Sequence, residues 1–367
     1  MRFYSLSSAA LALALPALGQ APTVRVIPDE PSCARCTISA RRLVTLGTDD
    51  GVGSLNGKPM SVNVDSRGRY WLFQELEPAT VFNANGTVVR MIGRKGRGPG
   101  EFQASNYGVA VGDSMLVFDW VESRATMIDP GLTPGRTIRI MQSMGDVVPM
   151  AWPILVMDNV NLAKGANGVL HRISLGEPEL RILDSFGPRN TSGPMNAGSV
   201  WQQIGSAPNG LWSTYVSRPE FTRWDADGRA VATFKRQLAW FTGDAEPTLG
   251  WGRSAPTPMT GLIHEDESGL VWFFVYRPVA NWKDPWKDVR PLRIGAGTEI
   301  RMRDVPYDKL FDTHIEVIDP VAGRVIARHN FDGYIFQALP SRRVAQYVVD
   351  ADGIPRVHIV SLTLNGR

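Results

Sequence analysis

From about residue 37 onward the chain alternates short apolar runs with polar turns, at a spacing too tight for helices. Residues 60–64 form one such run, Asp65-Ser66-Arg67-Gly68 interrupts it, and 69–73 resume the alternation. Residues 79–83 then lead into Asn85-Gly86, and 87–92 complete a fourth run. Period-two alternation bounded by Gly, Asn and Asp predicts half-buried strands joined by tight turns. The interval from Gly68 to Gly86 is 18 residues and recurs from Gly210 to Gly228, again with apolar runs after each turn. A turn, strand, turn and strand repeated at one interval predict a duplicated four-stranded unit, and units of about forty to fifty residues have the size of propeller blades.

Six such units can be traced. They cover about 59–102, 103–140, 145–190 (with a turn at Asn167-Gly168), 198–237, a fifth starting near Pro258, and 334–367. The last shows only three clear strands, and residues 38–46, lying before the first unit, supply the missing outer one. Such a closure removes the open edges that an unclosed ring would expose. The expectation is an all-β, six-bladed β-propeller of four-stranded antiparallel blades. The enlarged fifth unit and the irregular third leave five or seven blades as alternatives.

Between the first two units stands Gly93-Arg94-Lys95-Gly96-Arg97-Gly98-Pro99-Gly100-Glu101-Phe102. Glycines at this density suit a chain that reverses direction with positive φ angles, and Phe102 supplies an apolar plug. The turn ending Gly98-Pro99-Gly100-Glu101-Phe102, with the aspartate-rich turns around it, resembles the NHL-type repeat of exported bacterial six-bladed propellers. The resemblance covers most of the chain after the leader, although unit two ends in Gly131-Leu132-Thr133-Pro134-Gly135 without the signature and unit three departs from it. It implies a binding or scaffold surface and transfers no catalytic residues. A phosphate loop is excluded at this turn, because Lys95 precedes Gly96 and a strand follows where a helix N-terminus would be needed.

The N-terminus changes the picture by assigning a compartment. Arg2, an apolar run over 9–18 too short to span a bilayer, and Ala17-Leu18-Gly19 read as a signal peptide cleaved after Gly19. Gln20 stands where a lipoprotein would need cysteine, so no lipid anchor is expected there. The expected product is exported, periplasmic or extracellular, without a membrane span, with a lead-in segment over 20–36 and a single propeller domain over 37–367. Composition agrees: Gly 36, Pro 26 and Trp 11 fit many short strands, and no low-complexity linker divides the chain. Loss of Arg2 leaves 38 basic against 36 acidic residues, which gives no electrostatic case for nucleic acid. Cys33 and Cys36 are the only cysteines. In an oxidising compartment a disulfide is the leading reading. Reduced or metal-linked thiols and redox chemistry are the alternatives, although no βαβ pattern surrounds the pair and Thr37 stands where haem attachment needs histidine.

Candidate chemistry is sparse. The turns at Gly269 and Gly323 lie 54 residues apart, 36 more than in the regular units, so unit five carries an insertion over about 276–312. Within it, Trp282 and Trp286 are flanked by lysines and aspartates, a pattern suited to contact with a protein, peptide or glycan, or to plugging a blade. His264-Glu265-Asp266-Glu267 occupies the slot of a polar turn. His171, His314, His329 and His358 fall in strand patterns and are expected at solvent-facing positions. No nucleophile elbow or zinc-binding helix motif occurs. Two functions follow: a non-enzymatic binding or scaffold module without cofactor, or a metal-dependent hydrolase or lyase like the lactonase-type propellers. The latter would hold a divalent cation on oxygen ligands in the central channel.

Overall fold

The computed structural model describes residues 23–140, 147–150, 154–158, 168–176, 179–188, 202–241, 248–250, 255–290, 292–294, 297–300 and 302–367. The expected signal peptide lies outside these residues. Two strands, β1 (Thr23–Ile27) and β2 (Thr37–Leu46), precede the repeated units. Blade one is β3 (Ser61–Val64), β4 (Tyr70–Phe73), β5 (Thr80–Phe82) and β6 (Val88–Met91). Blade two is β7 (Ser105–Val111), β8 (Ser114–Asp119), β9 (Arg124–Ile128) and β10 (Pro134–Arg139), and blade three is β11 (Val147–Pro149), β12 (Ile154–Asp158), β13 (Gly168–Ser174) and β14 (Arg181–Pro188). Blade four is β15 (Gln202–Ala207), β16 (Gly210–Tyr215), β17 (Glu220–Asp225) and β18 (Ala230–Arg236). Blade five takes β19 (Met259–Glu265), β20 (Val271–Pro278), β23 (Phe311–Asp319) and β24 (Arg324–Phe331), with a small hairpin β21 (Leu292–Ile294) and β22 (Gly297–Glu299) and one helical turn α1 (Tyr307–Leu310) between its second and third strands. Blade six is β25 (Tyr334–Leu339), β26 (Arg343–Val349), β27 (Pro355–Asn365) and, on its outside, β2.

Within each blade the strands follow one another outward from the axis and pair antiparallel. The innermost strands β3, β7, β11, β15, β19 and β25 neighbour one another in a ring. Second strands are packed on both faces by adjacent blades, so they read as unbroken apolar runs: all of Tyr70 to Phe73 and all of Val271 to Tyr276 are buried. Close approach at the axis demands glycine. A Cβ on Gly205 would stand 1.7 Å from the Ile263 carbonyl of the next blade, and one on Gly108 would stand 2.3 Å from the Phe73 ring.

The turns repeat a device even where the letters differ. Asp65 accepts hydrogen bonds from the backbone of Arg67 and Arg69, from the Arg69 guanidinium at 2.7 Å and from the Trp71 indole at 2.9 Å. Asp266 does the same for Ser268, Leu270 and, at 2.9 Å, Trp272. Burial by itself would raise both carboxyls, but these donors carry each below its ordinary range. In blade four, where Pro208-Asn209 replaces the aspartate turn, Trp212 donates to Glu265 of blade five at 2.7 Å.

Closure by an N-terminal strand is observed, since β2 pairs with β27 from Thr37↔Asn365 to Leu46↔Val357. One strand was not legible in advance: β1 lies parallel to β18 as a fifth strand of blade four. Residues 23–46 therefore run up the outside of blade four, down beside β24 and up the outside of blade six. Cys33 and Cys36 are joined in a disulfide with a Cα separation of 5.3 Å, at the turn into β2. The insertion is shorter than expected, 279–310, because Tyr276, Arg277 and Pro278 keep register with Thr313, Asp312 and Phe311. Two histidines depart from the solvent-facing expectation: His171 and His314 are buried, paired with Ser185 and Asn330, each at 2.7 Å. Their strands are the third in their blades and are covered on both faces. Asn167 of the expected blade-three turn lies outside the described residues.

Candidate functional site

Antiparallel alternation divides the connections between two faces. One face carries the first-to-second and third-to-fourth strand turns, several of which are capped by their own aspartates, at Asp65, Asp129, Asp225, Asp266 and Asp319. The other carries the second-to-third strand connections and the links between blades, including 47–60, 74–79, 216–219, 279–310 and 350–354. On rigid scaffolds, long connections of this kind are where recognition residues concentrate.

On that long-connection face an aromatic cluster joins blades five and six. Tyr276, near the end of β20, crosses over Gly261 of β19, whose Cβ would fall 2.3 Å from the ring. Tyr276 lies 4.6 Å from Tyr334, and Tyr307 of α1 stacks on Tyr334 at 5.0 Å with an interplanar angle of 21°. Burial raises the phenols of Tyr307 and Tyr334 above their ordinary range, with neighbouring phenols adding to it. These rings therefore stay protonated at neutral pH. The Lys58 ammonium sits 5.3 Å from the Tyr307 ring and 5.1 Å from the Phe336 ring.

The 47–60 connection is pinned beside this cluster. Gln74 accepts from the Asn56 backbone at 2.9 Å and donates to the Ser54 carbonyl at 3.1 Å. Gly57 lets the chain pass the Arg303 carbonyl, which a Cβ would meet at 2.5 Å. Asp308 accepts from the Val349 backbone at 3.3 Å through one oxygen, while its other oxygen is buried without a hydrogen-bond partner. Burial raises this carboxyl.

Trp282 and Trp286 stand on the same face. Both are half-buried and pack against the core cluster that contains Tyr276, Tyr307 and Tyr334. The Trp286 indole donates to the Leu249 carbonyl at 3.2 Å, and the Lys283 ammonium lies 5.4 Å from the Trp282 ring. The two rings thus hold the insertion against the propeller while leaving part of their surface uncovered. Further cation and ring pairs occur here, Arg218 with Tyr215 at 5.8 Å and Arg277 with Trp240 at 5.4 Å.

The remaining sequence candidates are placed as structural parts. In the turn from Gly93 to Phe102, Glu101 accepts from the Gly98 backbone at 2.8 Å and from Arg94 at 2.6 Å, so the chain's own carboxylate occupies the glycine nest. Gly96 leaves room for that carboxylate, Gly93 and Gly100 adopt φ of 73° and 72°, and Phe102 is buried among residues of blades one and two. Pro99 lies at the tip of the same turn. His264-Glu265-Asp266-Glu267 forms the end of β19 and its turn, with Glu265 and Asp266 occupied by indoles. Sequence reasoning missed the tyrosine cluster, whose members are spread over three separate segments.

The chain is a six-bladed β-propeller. Among the described residues, no group of three or more His, Cys, Asp and Glu side chains could hold a metal ion, and no helix is long and apolar enough to cross a membrane. No family model matches the chain, and no curated protein matches it by sequence. The NHL resemblance therefore rests on the turn motif. Solved structures share the architecture. A Bacteroides fragilis protein assigned as exported is 12% identical over 93% of this chain and 100% of its own, with a TM-score of 0.56. A member of the DUF4221 family from Bacteroides vulgatus is 10% identical over 90% of this chain and 99% of its own, with a TM-score of 0.58. Virginiamycin B lyase from Staphylococcus aureus is 12% identical over 89% and 100%, and its TM-score of 0.42 gives it no weight here.

Proposed function

We propose that the protein is an exported binding or scaffold module that captures a protein, peptide or glycan on its long-connection face, with Trp282 and Trp286 as contact rings. The observation that carries this reading is the position of the two indoles: half-buried, packed against the core cluster that contains the tyrosines, and set among lysines on the face where the longest connections meet. Rings fixed in this way lose little conformational freedom on binding and offer flat apolar surface with a polar edge. Export is supported by the signal-like leader and by a disulfide, a bond that persists in oxidising compartments.

Glycan and peptide arrays probed with the wild-type protein, a W282A/W286A variant and a W282F/W286F control test the proposal. Discrete positive spots, lost in the alanine variant and weakened in the phenylalanine control, are expected. Spots retained at full strength in the alanine variant would contradict it.

A further inference from the structure

The outer rim of blades four and five holds a charged group that the binding face does not use. Arg236 and Glu316 are both fully buried and form a two-point ion pair at 2.6 and 2.7 Å. A guanidinium has five N–H donors. Two go to Glu316, and the other three go to the N-terminal segment: the Ile27 carbonyl at 2.7 Å, the Pro28 carbonyl at 2.8 Å and Asp29 at 3.2 Å. Further along, Arg328 pairs with Asp29 at 3.6 Å, and Ser32 donates both its backbone N–H and its hydroxyl to the Val325 carbonyl at 2.8 Å.

By contrast, β1 itself is lightly held. Four of its five residues are exposed, Val24 and Val26 by more than half, and only Ile27 joins the core. Its attachment is thus a ladder on one edge, the Arg25 guanidinium on the Pro320 and Val321 carbonyls at 3.3 and 3.1 Å, and a polar anchor concentrated at residues 27–32. At Cys33 the character changes, since both cysteines pack against the apolar cluster of blades five and six and β2 follows. Segments with few buried apolar contacts open at lower free energy than the core around them.

We infer that residues 23–32 form a detachable latch, docked through Arg236, which covers the outer edge of β18 and opens as a unit while the disulfide at Cys33–Cys36 and β2 stay in place. Opening returns three N–H groups of Arg236 to water and bares the β18 edge, the kind of unpaired strand edge that recruits other chains.

Hydrogen exchange on the full chain tests the latch. In a D29A/S32A variant, exchange over 23–27 and 230–236 should rise at least tenfold, with 37–46 and 271–278 unchanged. An R236M/E316L variant, which replaces the ion pair by apolar groups, should show the same pattern more strongly and admit trypsin at Arg25. Exchange that rises together in β1, β20 and β23 would make the pair a staple between blades and overturn the latch. So would exchange over 23–27 that neither variant moves.

Discussion

Trp71 and Trp272 are each held by the aspartate six positions earlier, and this contact does more than cap a turn. Asp266 satisfies two backbone N–H groups, a serine hydroxyl and an indole within one turn. Asp266→Ala leaves those donors unpaired and should cost about 2–4 kcal/mol in denaturant unfolding, whereas Glu267→Ala beside it should stay within about 0.5 kcal/mol. Glu316 makes a pH-dependent case. Burial would raise its carboxyl, but hydrogen bonds and charge from Arg236 and His314 bring it down to about 2. A depressed carboxyl contributes stability above its unfolded-state pKa and loses it as pH falls through the folded one. Acid titration should therefore unfold the wild type progressively below the ordinary glutamate range, and Glu316→Gln should be less stable at neutral pH with a flatter acid limb. An acid limb unchanged by the substitution would contradict the assignment. The aspartate turns were readable because all their partners lie within six residues. Arg236 and Glu316 are 80 residues apart, and no local pattern links them.

At the scale of elements, the spacing of turns revealed more than composition. The separation of Gly269 from Gly323 exposed the insertion, but its ends were misplaced because Tyr276 to Pro278 and Phe311 to Thr313 continue a strand pair whose register only the fold displays. The strand β1 was missed for a related reason. Five residues behind the expected leader carry no partner signal, and their pairing with β18 spans some two hundred residues of chain. Glycines in the innermost strands mark where elements touch. Gly205→Ala would drive a methyl into the Ile263 carbonyl, so it should destabilise by at least about 2 kcal/mol. Thermal unfolding of that variant beside Gly68→Ala, where nothing lies within 4 Å and only the positive φ resists, separates steric from conformational cost.

Over the whole molecule, the blade count and closure were legible because one device repeats and the last unit lacks a strand, so a sequence residue by residue unlike itself still announces its ring. The proposed binding face was only half legible. Trp282 and Trp286 stood out by composition, while the tyrosines of the core cluster they pack against converge from β20, α1 and β25. Closure by β2 and covering by β1 place both N-terminal strands on the outside of the ring, with β2 leading directly into the 47–60 connection. The function proposed here needs that face to be where ligand sits. Hydrogen exchange with and without the strongest array ligand measures this most directly. Slowed exchange confined to 47–60, 216–219, 279–290 and 302–310 is the expected result. Slowing on the opposite turns, at 65–69, 207–210, 266–269 and 320–323, with none on the long connections, would contradict it.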